Sequence, residues 1–226
     1  MSTRDDEKAA AARESLKYIR PGMVVGLGSG STASIVIQLI GEQVSRGLKI
    51  RGVPTSGASG TLAKSLGIPL TTFEEVDSVD VTIDGADEIA PGLQLIKGGG
   101  GFLLHEKIVA AASKQVVIVA DQKKKVAELG RFPLPVEVVR FAVGPVKRQL
   151  EQMKAAPRLR TGADDEPFVT DEGNWIFDCA FGRIPDPPAI ARRLESVPGI
   201  VGHGLFLGLA SLAIVAGSEG IEVLTA

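Results

Sequence analysis

The chain has 226 residues, 44% of them hydrophobic and 23% charged, a globular composition that excludes intrinsic disorder and collagen-like repeats and gives room for one large domain or two small ones. Its 25 Lys and Arg stand against 27 Asp and Glu, a net charge of −2, which supplies no electrostatic footprint for nucleic acid. Aromatics at 4% disfavour ligands gripped by stacking, whereas 27 glycines, about 12% of the chain against a typical ~7%, point to backbone that approaches a small polar ligand closely.

In chain order, Asp5 to Ile19 reads as an amphipathic helix, with Ala9, Ala12, Leu16 and Ile19 on one face and Pro21-Gly22 as its stop. Met23 to Gly28 is a buried strand running into glycines, and the spacing of Ala33, Ile35, Val36, Leu39, Ile40 and Val44 predicts a helix capped by Ser31 or Thr32. Strands are expected at 48–53, 68–73, 79–84 and 115–120, alternating with helices at 57–66 and 102–113. That alternation predicts an α/β fold, a Rossmann-like, mostly parallel sheet with helices on both faces and right-handed crossovers.

The texture changes at Phe132-Pro133-Leu134-Pro135. Strand 136–139, helix 146–153, strand 158–161, a hairpin around Asp171 to Asn174, helix 189–194 and a strand from Ile200 give the order β-α-β-β-α-β of a smaller, ferredoxin-like α+β domain. Leu212 to Ala216 and Ile221 to Leu224 then form a hairpin that returns to the first sheet. The expected domains are thus 1–131 with 204–226 as the α/β catalytic domain, and 132–203.

Cys179 is the single cysteine, which leaves no disulfide and too few thiolates for a structural zinc site, and suggests a reducing compartment. Met1 to Glu14 is rich in charge and lacks the apolar core of a secretion signal, so a cytoplasmic location is expected. Ser196 to Ser218 carries no formal charge and is long enough to span a bilayer. Its Pro198, His203 and five glycines argue instead for buried strand and helix pieces, and no membrane partner is expected.

In open parallel sheets the ligand crevice lies beyond the carboxyl ends of the strands, and four clusters fall there. Gly26-Leu27-Gly28-Ser29-Gly30-Ser31-Thr32 can wrap an anion and offer hydroxyls and helix N–H groups. Ser31 stands where a dinucleotide fingerprint needs its third glycine and no Gly-Lys-Ser/Thr follows, so neither NAD nor a P-loop nucleotide is indicated. The bland alternative is a tight turn before a capped helix. Asp84-Gly85-Ala86-Asp87-Glu88 crowds three acids past a buried strand, open to three readings: helix capping, a Mg²⁺ site, or acid/base work on a sugar. Lys97-Gly98-Gly99-Gly100-Gly101 forms a backbone nest beside a full positive charge, because four glycines cost too much conformational entropy to be filler. The helix that follows holds His105 and Glu106 in its first turn. Glu106 is either an exposed helix residue or a base, and the helix N-terminus lowers a carboxylate pKa while burial raises it. Lys123-Lys124-Lys125 after the strand ending near Asp121 is a solvated face or a phosphate contact. His105, His203, Cys179 and Trp175 show no nucleophile–base pairing.

Together Gly28-Ser29-Gly30-Ser31-Thr32, Asp84-Gly85-Ala86-Asp87-Glu88-Ile89, Lys97-Gly98-Gly99-Gly100, Glu106-Lys107-Ile108 and Phe132-Pro133-Leu134-Pro135-Val136-Glu137-Val138 resemble the type A family of ribose-5-phosphate isomerases over nearly the whole chain. The resemblance implies interconversion of D-ribose 5-phosphate and D-ribulose 5-phosphate in the pentose phosphate pathway, with no cofactor and no metal, by a homodimer or homotetramer. It places the general base on Glu106, with Lys97, Asp84 and Asp87 as further catalytic groups. Substrate contacts fall on Ser29, Gly30, Ser31, Thr32, Asp84, Gly85, Ala86, Asp87, Lys97, Gly98, Gly99, Gly100 and Lys124, with Lys8 a further phosphate candidate. Thr55 to Ser59 and Cys179 to Phe181 depart from the family's pattern and receive no role. Two rival readings are a sugar-phosphate sensor, and an aminosugar-phosphate deaminase, lactonase or acyl-CoA transferase on a similar scaffold.

Overall fold

A computed structural model describes residues 3–225; Met1, where the charged N-terminal stretch begins, lies outside them. In chain order its elements are α1 (Arg4–Ser15), β1 (Val24–Leu27), α2 (Ser31–Ser45), β2 (Arg51–Pro54), α3 (Gly57–Ser65), β3 (Val81–Asp84), β4 (Glu88–Ala90), β5 (Gln94–Ile96), α4 (Leu103–Ala111) and β6 (Val116–Asp121). There follow β7 (Leu134–Val138), α5 (Val143–Gln152), β8 (Pro157–Leu159), β9 (Trp175–Cys179), α6 (Pro187–Glu195), β10 (Ile200–His203), β11 (Leu205–Phe206), β12 (Leu212–Gly217) and β13 (Gly220–Thr225). Among the described residues they form two compact units, one of residues 3–86, 105–125 and 208–225, the other of 87–104 and 126–207.

The first unit is built on a six-stranded sheet in the order β13-β12-β6-β3-β1-β2. Every neighbouring pair is parallel except β12 with β13, so the mostly parallel sheet expected from strand–helix alternation is present. Strands β1, β3 and β6 are buried along their whole length, which is why they read as unbroken apolar runs rather than alternating ones. Val25 and Leu27 face a core shared with Ala11 and Ala12 of α1 and Val36, Ile37 and Ile40 of α2. Their neighbour Val24 points the other way and packs with Val53, Val79 and Val109 of α4, so helices cover both faces. The stretch 68–73 is not a strand: it makes one isolated parallel bridge, Leu70 to Gly52.

The second unit holds a four-stranded antiparallel sheet, β10-β7-β9-β8. With β7-α5-β8-β9-α6-β10 in sequence, this is the ferredoxin-like order, and Leu134, Val136, Val138, Phe177 and Cys179 pack there with Val146 and Leu150 of α5 and Ala191 and Leu194 of α6. Asp186 caps α6 through the Ala189 N–H at 3.0 Å, with Pro187 as its first residue. A second, three-stranded sheet, β11-β5-β4, is absent from the sequence reading. The uncharged stretch 196–218 is divided among β10, β11 and β12, and among the described residues no helix is long and apolar enough to cross a membrane.

Candidate active site

The carboxyl ends of four adjacent parallel strands of the first unit set Asp84 at the end of β3 and Thr55, Ser29 and Lys124 just beyond β2, β1 and β6. Between β1 and β3 the approach is so close that a Cβ on Gly28 would lie 2.3 Å from the Asp84 carboxyl oxygen and 2.6 Å from its Cα; no other residue fits there. The Asp84 Oδ1 accepts the Ser29 N–H at 3.1 Å and the Gly85 N–H at 2.7 Å, so its orientation is fixed by backbone. The capping alternative for this acid falls away, because the chain after Asp87 enters a strand, β4, and not a helix. Ala86 is half-buried beside Gly85.

Gly30, at φ +90°, and not Ser31 or Thr32, occupies the N-cap of α2, and it has no side chain to cap with. Ser31 and Thr32 are the first helical residues, so their backbone N–H groups are among those that a helix leaves without internal partners. Over a 15-residue helix the aligned peptide dipoles make this end attractive to an anion. The Ser29 Oγ lies 2.8 Å from Thr55 Oγ1 and 2.7 Å from Ser56 Oγ. Thr55 and Ser56 are buried; they hold the Ser29 hydroxyl in place, a role that residue type alone did not reveal.

Lys124 ends a short 3-10 turn, residues Gln122–Lys124, whose second N–H, that of Lys123, is capped by Asp121 Oδ1 at 3.2 Å. Asp121 in turn pairs with Arg4 Nε at 3.1 Å. Lys8 is engaged by Asp5 at 3.5 Å on α1. Glu106 sits in the first turn of α4 with 5% exposure, which removes the reading of an exposed helix residue. His105 lines a separate apolar cavity of about 590 Å³ with Val53, Leu70, Phe73 and Ile108.

In the second unit Asp87 Oδ2 accepts the Gly99 N–H at 2.8 Å. A Cβ on Gly99 would stand 2.7 Å from the same carboxylate, so this glycine is also required by close approach. Lys97 is buried, tied through its N–H to Gly204 O at 2.9 Å, with Nζ 5.4 Å from the centre of the Phe206 ring, a cation–π distance. Gly98 is buried, and Gly99 and Gly100 are exposed. The third acid of the cluster, Glu88, is structural: its two oxygens accept the Gly130 and Phe132 N–H groups, each at 2.7 Å. Cys179 is buried in the core of this unit, where burial and the nearby Asp178 charge push its thiol pKa up.

An open parallel sheet that lines up a glycine-turned anion loop, a backbone-held aspartate and a lysine along its strand ends is the scaffold of an α/β enzyme for a small anionic substrate. The family described as ribose 5-phosphate isomerase A (phosphoriboisomerase A) matches residues 51–220. The chain belongs to that family. It is 54% identical, over 98% of its length and 96% of the relative's, to ribose-5-phosphate isomerase A of Afipia carboxidovorans. Against the protein of that name from Bradyrhizobium diazoefficiens it is 52% identical, over 97% of this chain and 95% of the other. The solved structure of ribose 5-phosphate isomerase A from Methanocaldococcus jannaschii superposes with a TM-score of 0.95 at 36% identity, covering 99% of this chain and 100% of that one.

Proposed function

We propose that this chain is an aldose–ketose isomerase that interconverts D-ribose 5-phosphate and D-ribulose 5-phosphate in the pentose phosphate pathway, with Glu106 as its general base. The reaction is supported by the near-complete match to relatives of that name. One observation carries the choice of base: a carboxylate withdrawn from water in the first turn of α4.

An aldose becomes a ketose when the proton on C2 leaves and a proton arrives at C1, through an enediolate that has to be shielded from water. Glu106 takes the first proton and delivers it to C1, a role worth ~10²- to 10⁴-fold. Lys97 and the N–H groups of Gly98 and Gly100 stabilise the developing oxyanion, a contribution of ~10²-fold or more per donor, while the Gly99 N–H holds Asp87. Asp84 and Asp87 open the furanose ring and move a proton between O1 and O2. Ser29 to Thr32, Gly85, Ala86 and Lys124 bind the substrate's hydroxyls and phosphate. The scheme uses no metal and no cofactor. A related isomerase has been solved with phospho-erythronic acid, a compound that joins a phosphate to a carboxylate and so mimics the charges of a phosphorylated enediolate.

By function the catalytic domain is 1–131 with 204–226. This division differs from the compact units at 87–104, 126–131 and 204–207, because Asp87 and Lys97 carry chemistry while β4, β5 and β11 form one sheet within the second unit. A homodimer or homotetramer in the cytoplasm completes the proposal, and sedimentation at assay concentrations measures the assembly.

A coupled assay tests the whole reading. Ribose 5-phosphate should turn over in strong preference to arabinose 5-phosphate and glucosamine 6-phosphate. Glu106→Gln keeps the shape of the side chain and removes its basicity, so kcat should fall by ~10²- to 10⁴-fold. Near-normal turnover by that variant refutes the assignment of the base.

A further inference from the structure

Arg160 follows β8 and keeps its strand alignment, its N–H donating to Ile176 O of β9 at 2.8 Å. Side chains of a strand alternate between faces. Phe177 and Cys179 point into the core with α5 and α6, so Asp178 lies on the opposite face, where Pro135 of the paired strand β7 approaches Gly98. Arg160 grips Asp178 in a two-point fork, Nε to Oδ2 at 3.0 Å and Nη2 to Oδ1. Its remaining nitrogen, Nη1, donates to two successive carbonyls of the glycine run, Gly98 O at 3.0 Å and Gly99 O at 3.2 Å. The Phe168 ring stands 5.8 Å from the guanidinium carbon and bears on Gly101, where a Cβ would come within 2.4 Å of that ring.

A trans peptide group points its N–H opposite to its C=O, and among the described residues there is no cis peptide. Holding the carbonyls of Gly98 and Gly99 therefore turns the N–H groups of Gly99 and Gly100 away from Arg160. The first of these meets Asp87 Oδ2 at 2.8 Å. The second is presented on the side away from the guanidinium. Four consecutive glycines have too much backbone freedom to keep such an arrangement unaided.

We infer that Arg160, braced by Asp178, is a positioning residue that holds the Gly98 and Gly99 carbonyls so that the Gly99 N–H engages Asp87 and the Gly100 N–H faces a negative oxygen of the substrate. The inference rests on the proposed oxyanion role of the glycine run. Arginine suits the task because its planar fork is fixed once Asp178 is gripped, leaving the third nitrogen aimed.

Amide hydrogen exchange and steady-state kinetics on the full chain, as wild type, Arg160→Met and Arg160→Lys, decide the matter. In Arg160→Met the Gly99 amide should exchange at least ~10-fold faster while amides of β1, β3 and β6 keep their protection. Its kcat for ribose 5-phosphate should fall ~10- to 100-fold with KM changed less than ~3-fold, as expected when an interaction made only in the transition state is lost. Arg160→Lys, which keeps the charge and a single donor nitrogen, should recover part of kcat and of the Gly99 protection. Unchanged Gly99 exchange, unchanged kcat, or a loss of protection spread over the whole chain would each overturn the inference, and should Arg160→Met fail to fold, Arg160→Lys is judged by the same readings. A wild type that does not isomerise ribose 5-phosphate sinks the proposed function instead, and Gly99 exchange alone then decides the clamp.

Discussion

Lys97 is the residue whose surroundings say most about its use. A cation with 3% exposure has given up most of its hydration, which is costly unless the charge is used or balanced, and the face of Phe206 stands at cation–π distance from it. In a dry setting the same charge is worth far more to an oxyanion that appears during reaction than it is to a solvated ground state. Lys97→Ala is therefore expected to lower kcat by ~10²-fold or more while KM rises by less than ~10-fold. Steady-state kinetics on ribose 5-phosphate checks this; a rise in KM with kcat intact would make Lys97 a binding residue only. The position was legible in the sequence because a lysine beside four glycines has few structural uses. Arg160 was not legible, since nothing near it in the chain announces that it reaches carbonyls some sixty residues earlier.

At the scale of elements, Asp80 marks how the parallel strands are seated. Just before β3, its Oδ2 accepts the Val24 N–H of β1 at 2.8 Å, and its Oδ1 takes Lys114 Nζ at 2.7 Å just before β6. One carboxylate thus ties the starts of three neighbouring strands. The Lys114 and Val24 hydrogen bonds hold its pKa below the ordinary aspartate value of 3.8. A depressed carboxylate stabilises the fold above the pKa it has when unfolded, and that support is lost as pH falls through the lower, folded value. Asp80→Asn should cost about 0.5–1 kcal/mol at pH 7, the range for a partly exposed ion pair, or about 1–4 °C in Tm. The gap between variant and wild type should close on acidification to below pH 3.8 in thermal melts; a gap that persists there means that the charge is not what Asp80 contributes. The strands it joins were readable as buried apolar runs, with ends within a few residues of those observed. The hairpin β4–β5 was hidden for a physical reason. Its strands are three residues each, too short for a period to show, and its turn places Leu93 at φ 51°, in the left-handed region that a leucine seldom enters. The stretch 68–73 failed in the opposite sense: it has strand-forming residues, but only Leu70 finds a partner.

For the molecule as a whole, Cys179 offers a reporter that the chain contains only once. It has 0% exposure among the side chains of β7, α5 and α6, and burial, aided by the Asp178 charge, raises its pKa above the ordinary thiol value of 9.0. Only the thiolate attacks a disulfide reagent, so the folded chain is protected twice, by lack of access and by lack of ionisation. An aromatic disulfide reagent at pH 8 should therefore modify Cys179 at least ~10³-fold more slowly in the native protein than in denaturant, at a rate that tracks opening of this core. The pH sign follows from the same burial: the proton on the folded thiol supports the native state fully below pH 9.0, the unfolded value, and that support is lost as pH rises past it. Wild type should accordingly lose stability between pH 9 and 10.5 faster than Cys179→Ala, whose overall stability is lower because a buried sulfur has been removed. Parallel denaturant curves for the two proteins across that interval would show instead that the thiol is already solvated in the native state, and the packing assigned to the ferredoxin-like sheet would have to be redrawn around it.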